Sequence, residues 1–234
     1  MANHLQREIE KLKKRILGLS ALVEENLRRA LDSVETRDAA LAADAVDHDF
    51  EIDLMEVDVE EECLKTLVLY QPVAGDLRFI VATIKINTTL ERIGDLAVNI
   101  AGRAILLQNG EMPVVPFDLP GFSDKARRMV GHALDALVRA DTELARVVLA
   151  ADDEIDELDL EYSIKLKSAL EAHPEQMEPI LHLLQLSRFI ERIADHATSI
   201  AEDVIYMVEG EIPRHSVKRA VAEAMGINGG ATKA

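Results

Sequence analysis

The second half of this chain repeats the first, and that duplication constrains the fold more than any other feature. Displaced by 100 positions, Glu91-Arg92-Ile93 falls on Glu191-Arg192-Ile193, Asp95 on Asp195, Ala97 on Ala197 and Ile100-Ala101 on Ile200-Ala201. Ile105 meets Ile205, Gly110-Glu111 meets Gly210-Glu211, and Pro113 meets Pro213. Upstream the displacement is 103: Asp38 matches Asp141, Leu41 matches Leu144, Asp49 matches Asp152, and Glu51-Ile52-Asp53 matches Glu154-Ile155-Asp156. Matching leucines and alanines is easy by chance; matching the charged positions without gaps is not. A solenoid unit spans about 20–50 residues, so a repeat this long fits a duplicated globular unit instead.

The unit is helical. Leu5, Ile9, Leu12, Ile16, Leu19 and Val23 step by three or four, and the stripe runs on through Leu27, Ala30 and Val34, which predicts a first helix over 3–35. Thr36 to Asp38 offers N-cap chemistry for a second helix ending at Tyr70, before Pro72. Gly75 and Asp76 mark a turn, with Asp76 as the expected cap of a third helix over 77–108. Ser123 is expected to cap a fourth helix over 124–139, and Asp141 a fifth that ends at His173-Pro174. A sixth runs over 176–208 with Pro179 near its start, where a missing N–H costs least, and stops at Gly210. The shift from 100 to 103 then falls between the second and third helices of each half, where a loop absorbs it. The expected architecture is all-α: two tandem three-helix bundles of six long antiparallel helices. They occupy residues 1–110 and 123–212, joined by a Pro/Gly-rich linker over 111–122 and followed by a frayed tail over 213–234.

Composition narrows the function. Forty-three acidic side chains against 26 basic ones give a net charge of −17, which repels nucleic acid and anionic membranes and suits basic proteins or cations. The five Phe, three Tyr and absent Trp leave few aromatic platforms for sugars, bases or flat cofactors. A single cysteine, Cys63, allows no internal disulfide and suits a reducing compartment. Met1 to Arg15 lacks the apolar core of a signal peptide, and no apolar run approaches a membrane span. The expectation is a cytoplasmic protein without direct membrane insertion.

The acids are concentrated. Ten lie between Asp44 and Glu62 and seven between Asp152 and Glu161, with no Lys or Arg in either stretch. A solvated helix face would account for a charge run. Yet like charges four apart cost about 0.2–0.5 kcal/mol per pair, and surface helices ordinarily alternate signs. Spacing suggests more. Asp49 and Asp53 share one face of the second helix, while Glu91, Asp95 and Asn99 form an oxygen ladder on the third. Asp152 and Asp156, with Glu191, Asp195 and Ser199, are their counterparts. If these helices are antiparallel neighbours, each half gathers about four carboxylates, which cannot all stay ionised unaided. All-oxygen ligation points to Mg²⁺, Ca²⁺, Mn²⁺ or iron. Arg92 and Arg192 sit inside the ladders and supply the other reading, in which the acids are spent on salt bridges. The residues leave both open.

Other chemistries find less support. None of the seven histidines follows a Glu by three residues, which disfavours a ferritin-like di-iron centre, although a carboxylate-bound metal enzyme or metal store stays as the alternative. His196, next to Asp195, is either an accessory ligand or a partly exposed helix histidine. A glycosidase carboxylate pair would want an aromatic-lined cleft. There is no phosphate-binding glycine loop, zinc pattern or Gly-x-Ser-x-Gly elbow. The turn Tyr70 to Arg78 either only stops one helix and starts the next, or presents an exposed Arg78 to a partner.

The run Gln71-Pro72-Val73-Ala74-Gly75-Asp76-Leu77-Arg78, then Glu91-Arg92-Ile93-Gly94-Asp95 and Asn99-Ile100-Ala101, resembles the first repeat of the PhoU family. Glu191-Arg192-Ile193-Ala194-Asp195 with Ser199-Ile200-Ala201 resembles the second, preceded by the Asp-x-x-Ile-Asp stations at Asp49 and Asp152. The resemblance covers about residues 3–215. It implies two tandem three-helix bundles and no catalysis. It also implies a negative regulator of phosphate uptake that contacts the ATPase subunit of a phosphate ABC transporter and a membrane sensor histidine kinase. Such a protein would be peripheral to the inner membrane through its partners, and a homodimer is expected. Metal ions (iron, Mn, Mg or Zn) at Glu91/Asp95 and Glu191/Asp195, with Asp49, Asp53, Asp152 and Asp156, are implied as well; Asn99 completes the first set. Ser199 in place of Asn99, and Ala194 in place of Gly94, depart from an identical second site. Arg78, Arg92 and Arg192 are the candidate partner contacts.

Overall fold

The structure, a computed structural model, describes residues 2–108, 113 and 118–210. Six long helices follow one another: α1 (Ala2–Thr36), α2 (Ala39–Tyr70), α3 (Ala74–Leu107), α4 (Leu119–Arg139), α5 (Thr142–Ala172) and α6 (Met177–Glu209). A single 3₁₀ turn, Pro174–Gln176, precedes α6, and no strand occurs among the described residues.

The periodic apolar stripes become the core. Leu12, Ile16, Leu19, Val23 and Leu27 of α1 are all buried, as the three-four stepping requires. The caps repeat with the sequence. Asp38 accepts hydrogen bonds from the Ala40 and Leu41 N–H groups at 2.9 and 3.2 Å, and Asp141 from Glu143 and Leu144 at 3.0 Å each. Each cap satisfies N–H groups that have no partner within the helix and stabilises it by about 1 kcal/mol. At the far end, Gly210 closes α6 in the left-handed conformation (φ 79°), where glycine carries no Cβ penalty.

Two starts differ from the sequence expectation. α3 begins at Ala74, ahead of Gly75, and its N-cap is Val73 with no side-chain hydrogen bond; Asp76 sits in the first turn, where its charge meets the positive end of the helix dipole. α4 begins at Leu119 rather than beyond Ser123. Asp118 is its cap, accepting from the Gly121 N–H at 3.0 Å, and Pro120 occupies the first turn, a position that tolerates it. Ser123 is buried inside this helix. Tyr162 of α5 fixes the start, donating its hydroxyl to the Asp118 carbonyl at 2.9 Å while its ring meets Phe122 edge-on at 5.0 Å. Residues 119–122 of the expected linker are thus helix, and most of the rest of it, like the whole of the tail over 213–234, lies outside the described residues.

α1, α2 and α3 pack on one another, as do α4, α5 and α6; α3 lies against α6, and α1 more lightly against α4. One continuous apolar core runs through both bundles. Ala97, Ala101, Ala197 and Ala201, equivalent in the two halves, are fully buried in that core, and α3 meets α6 along a seam between the bundles. Lys85 of α3 crosses the same seam to the buried Asp203 at 2.9 Å and lies 5.0 Å from the centre of the Tyr206 ring. Among the described residues no helix is long and apolar enough to cross a membrane.

Candidate metal centre

Each bundle carries one acid-lined groove, between α2 and α3 in the first half and between α5 and α6 in the second. In the first, Gly94 determines how closely the walls meet. A Cβ there would stand 3.0 Å from Asp49 Oδ1 and 3.3 Å from Ile52 Cγ2, so its absence lets the Asp49 carboxylate lie against the α3 backbone. Half-buried there, Asp49 has its carboxyl pushed up to about 6, chiefly by burial and then by the charges of Asp53, Asp95 and Glu91. Glu91 is raised by burial, then by Asp95, Glu56 and Asp53, with Arg92 pulling the other way. All four carboxylates expected from the spacing therefore act on one another across the two helices.

The second groove has the same plan. Asp152 is pushed up to about 6 by burial, then by Asp156, Asp195, Asp153 and Glu202. Glu191 rises to about 7 by burial, then through Asp195, Asp159 and Asp156, partly offset by Arg192. Asp195 is also raised by burial and Asp156, with Arg192 opposing. Ala194 replaces Gly94 and is fully buried.

Sequence reasoning missed one further pair of acids. Glu56 and Asp159, related by the same shift of 103, stand one turn beyond Asp53 and Asp156 and act on Glu91 and Glu191. Their three-residue spacing from those aspartates was a usable signal. Asn87, one turn before Glu91, holds Glu56 in place by donating Nδ2 to its carbonyl at 2.9 Å and its Oε1 at 3.1 Å. Asn99 is exposed and donates to the Asp95 carbonyl at 2.8 Å, leaving its amide oxygen available. Ser199 is half-buried.

The arginines do not neutralise these groups. Arg92 and Arg192 are exposed, and among the described residues neither forms an ion pair with the groove acids. Arg78, one of the candidate partner contacts, is half-buried, and its guanidinium packs against the α6 terminus at Gly210. His196 is half-buried, with Nε2 unpartnered and the ring held neutral, its pKa lowered to about 4 by burial and by Arg92 and Arg192. Cys63 is buried, its thiol pushed up to about 12, and is no thiolate ligand.

The donor set fits a hard cation. Asp152 Oδ1 and Asp159 Oδ1 are buried without a hydrogen-bond partner, unspent acceptors that ordinarily cost free energy. As they stand, no three His, Cys, Asp or Glu side chains among the described residues converge tightly enough to grip an ion. Like charges facing one another across a groove splay apart; a cation reverses that preference.

The same two regions carry the likeness to known proteins. The PhoU domain family model matches residues 16–104 and again 119–204, one match per bundle. The chain is 39% identical over 212 residues to the phosphate-specific transport system accessory protein PhoU homolog of Aquifex aeolicus, covering 90% of this chain and 96% of that one. With its Pseudomonas putida counterpart it shares 36% over 231 residues, 97% of this chain and 89% of that one. The crystal structure of PhoU from Pseudomonas aeruginosa superposes with a TM-score of 0.86 at 35% identity, covering 88% of this chain and 99% of that one. Duplicated bundles, a doubled Glu-Arg-Ile-x-Asp station and a match over most of the chain in both sequence and structure lead to one conclusion: the chain belongs to the PhoU family.

Proposed function

We propose that this protein is a non-enzymatic negative regulator of phosphate uptake and of the phosphate-starvation response. It acts in the cytoplasm, peripheral to the inner membrane, by docking on the ATPase subunit of a phosphate ABC transporter and on a sensor histidine kinase. The observation that carries this reading is the family match over both bundles to proteins named as accessory to phosphate-specific transport. An acidic surface without a base-rich patch in either acid stretch also suits protein partners better than nucleic acid.

In the same proposal, divalent or ferric ions bind in both grooves. Glu91, Asp95, Asp49 and Asp53 would hold one, with Asn99 beside them, and Glu191, Asp195, Asp152 and Asp156 the other. The bound cation would supply neutralisation, tying α2 to α3 and α5 to α6 where carboxylates otherwise repel. Uncompensated acids with raised pKa values and two orphaned carboxylate oxygens support this. The protein is proposed to act as a homodimer.

Deletion of the gene in its source organism tests the regulatory role. Alkaline phosphatase expression should rise in phosphate-rich medium; unchanged expression would refute a negative regulator of that response.

A further inference from the structure

α2 has two apolar faces, and only one of them is used. Ala42, Ala45, Ile52, Val59 and Cys63 are buried against α1 and α3. About a third of the way round the helix from that face, Val46, Phe50, Leu54, Val57, Leu64 and Val68 step by four, four, three, seven and four residues. These are the spacings of a helix-packing seam, sustained for six turns of the helix. All six are exposed, Phe50 by 66%, Leu54 by 56% and Val68 by 74%. Scattered exposed apolar residues are ordinary, but a continuous stripe of this kind marks an interaction surface.

The repeat sharpens the point. Shifted by 103, four of the six become charged (Phe50 meets Asp153, Leu54 Glu157, Leu64 Lys167 and Val68 Glu171), while Val46 and Val57 meet Leu149 and Leu160. The duplicated fold therefore does not need the stripe. Its borders tell what covers it. Asp47, Glu51 and Asp58 run along one side, Asp53 and Glu60 along the other, and Glu61 interrupts the stripe itself, all exposed. Lys65 is the one cation that α2 itself places beside it, while Arg15 reaches Asp58 from α1 at 3.4 Å. A second copy of the same face would set carboxylates against carboxylates.

We infer that the outer face of α2 docks an amphipathic helix of a protein partner, with an apolar ridge bordered by Lys and Arg. Apolar side chains of that helix would cover Phe50, Leu54 and Val57, and its basic flanks would meet the acid borders. The choice of a protein as occupant rests on the docking role proposed above.

The test uses the full chain and a synthetic 21-residue helical peptide with leucine at heptad seam positions and lysine on both flanks, labelled for fluorescence anisotropy. Phe50→Ser/Leu54→Ser should weaken its binding about tenfold or more, the scale expected for losing two buried apolar side chains. The same change on α5, Leu160→Ser/Ile164→Ser, removes side chains exposed by 63% and 56% and should leave affinity within about twofold, since it touches no seam. A glutamate-flanked version of the peptide should fail to bind. Circular dichroism confirms that both variants keep their helix content, as exposed positions permit. Equal weakening in the two variants, or none in either, overturns the inference, because binding would then follow net charge alone. Loss of self-association in the α2 variant with unchanged peptide affinity also overturns it, assigning the face to a second copy. These outcomes leave the alkaline phosphatase result untouched, so failure here and failure of the regulatory reading are told apart.

Discussion

The two halves of this molecule start from one repeat and build one groove each, yet they close it differently. In the first, a missing Cβ at Gly94 lets Asp49 settle 3.0 Å from where that carbon would be. In the second, Ala194 fills the position, and two carboxylate oxygens, on Asp152 and Asp159, end up buried without hydrogen-bond partners. Both first-wall aspartates nonetheless reach about 6, and burial heads the causes in both. The shared outcome with unlike packing indicates that the acid groove, rather than any one contact, is the common element. The outer faces diverge further, apolar on α2 and largely charged on α5. Duplication has left one face free to specialise.

The largest effects should come from the core that joins the halves. Ile93→Ala and Ile193→Ala each remove a fully buried side chain at equivalent stations and should cost about 2–5 kcal/mol. Because the core is continuous across α3 and α6, each variant should show one cooperative calorimetric transition at lowered Tm. Two separated transitions would break the picture of one folding unit.

A smaller change addresses the groove wall. Gly94→Val should destabilise by about 1–3 kcal/mol through overpacking against Asp49 and Ile52, measured by urea unfolding. Ala194→Val, where a Cβ is already accommodated, should cost less. A reversed order would mean that Gly94 does not set the spacing of the first groove.

Acidity tests both grooves at once. A carboxyl whose folded pKa lies above its unfolded value near 4 binds more protons folded than unfolded between the two values. Stability therefore falls as pH rises through that window and is regained on acidification. With Asp49 and Asp152 near 6 and Glu191 near 7, metal-free protein should melt higher at pH 5 than at pH 7.5. These groups are part-exposed, so solvent screening reduces the effect to ~2–4 °C. Asp49→Asn/Asp152→Asn/Glu191→Gln should flatten the profile, which separates the grooves from the general charge of −17. A wild-type slope in that variant would contradict the assignment.

Much of this was legible in the amino-acid sequence, for physical reasons. Asp38 and Asp141 cap where expected because an N-cap is a local property of one side chain and the next three N–H groups. Asp49 with Asp53, and Glu91 with Asp95, share a face because helical spacing alone decides that; how closely the two faces approach depends on the packing of α2 on α3. The start of α4 was not legible: Pro120 breaks a helix interior but suits a first turn, and only the contacts from Tyr162 to the chain around Asp118 separate the two. The surroundings of Arg78 could not be read from its turn, because they come from the end of α6, distant in sequence. The outer stripe of α2 was hidden by its own acids. Ile52 and Phe50 are equally apolar, and which of them is covered depends on packing against α1 and α3.

The central claim is that both grooves seek a cation, and elemental analysis of chelator-free protein measures it directly. Wild type should carry divalent or ferric metal, Asp95→Ala and Asp195→Ala should each lose part of it, and the double variant should lose nearly all. Equal metal content in wild type and double variant would contradict the account.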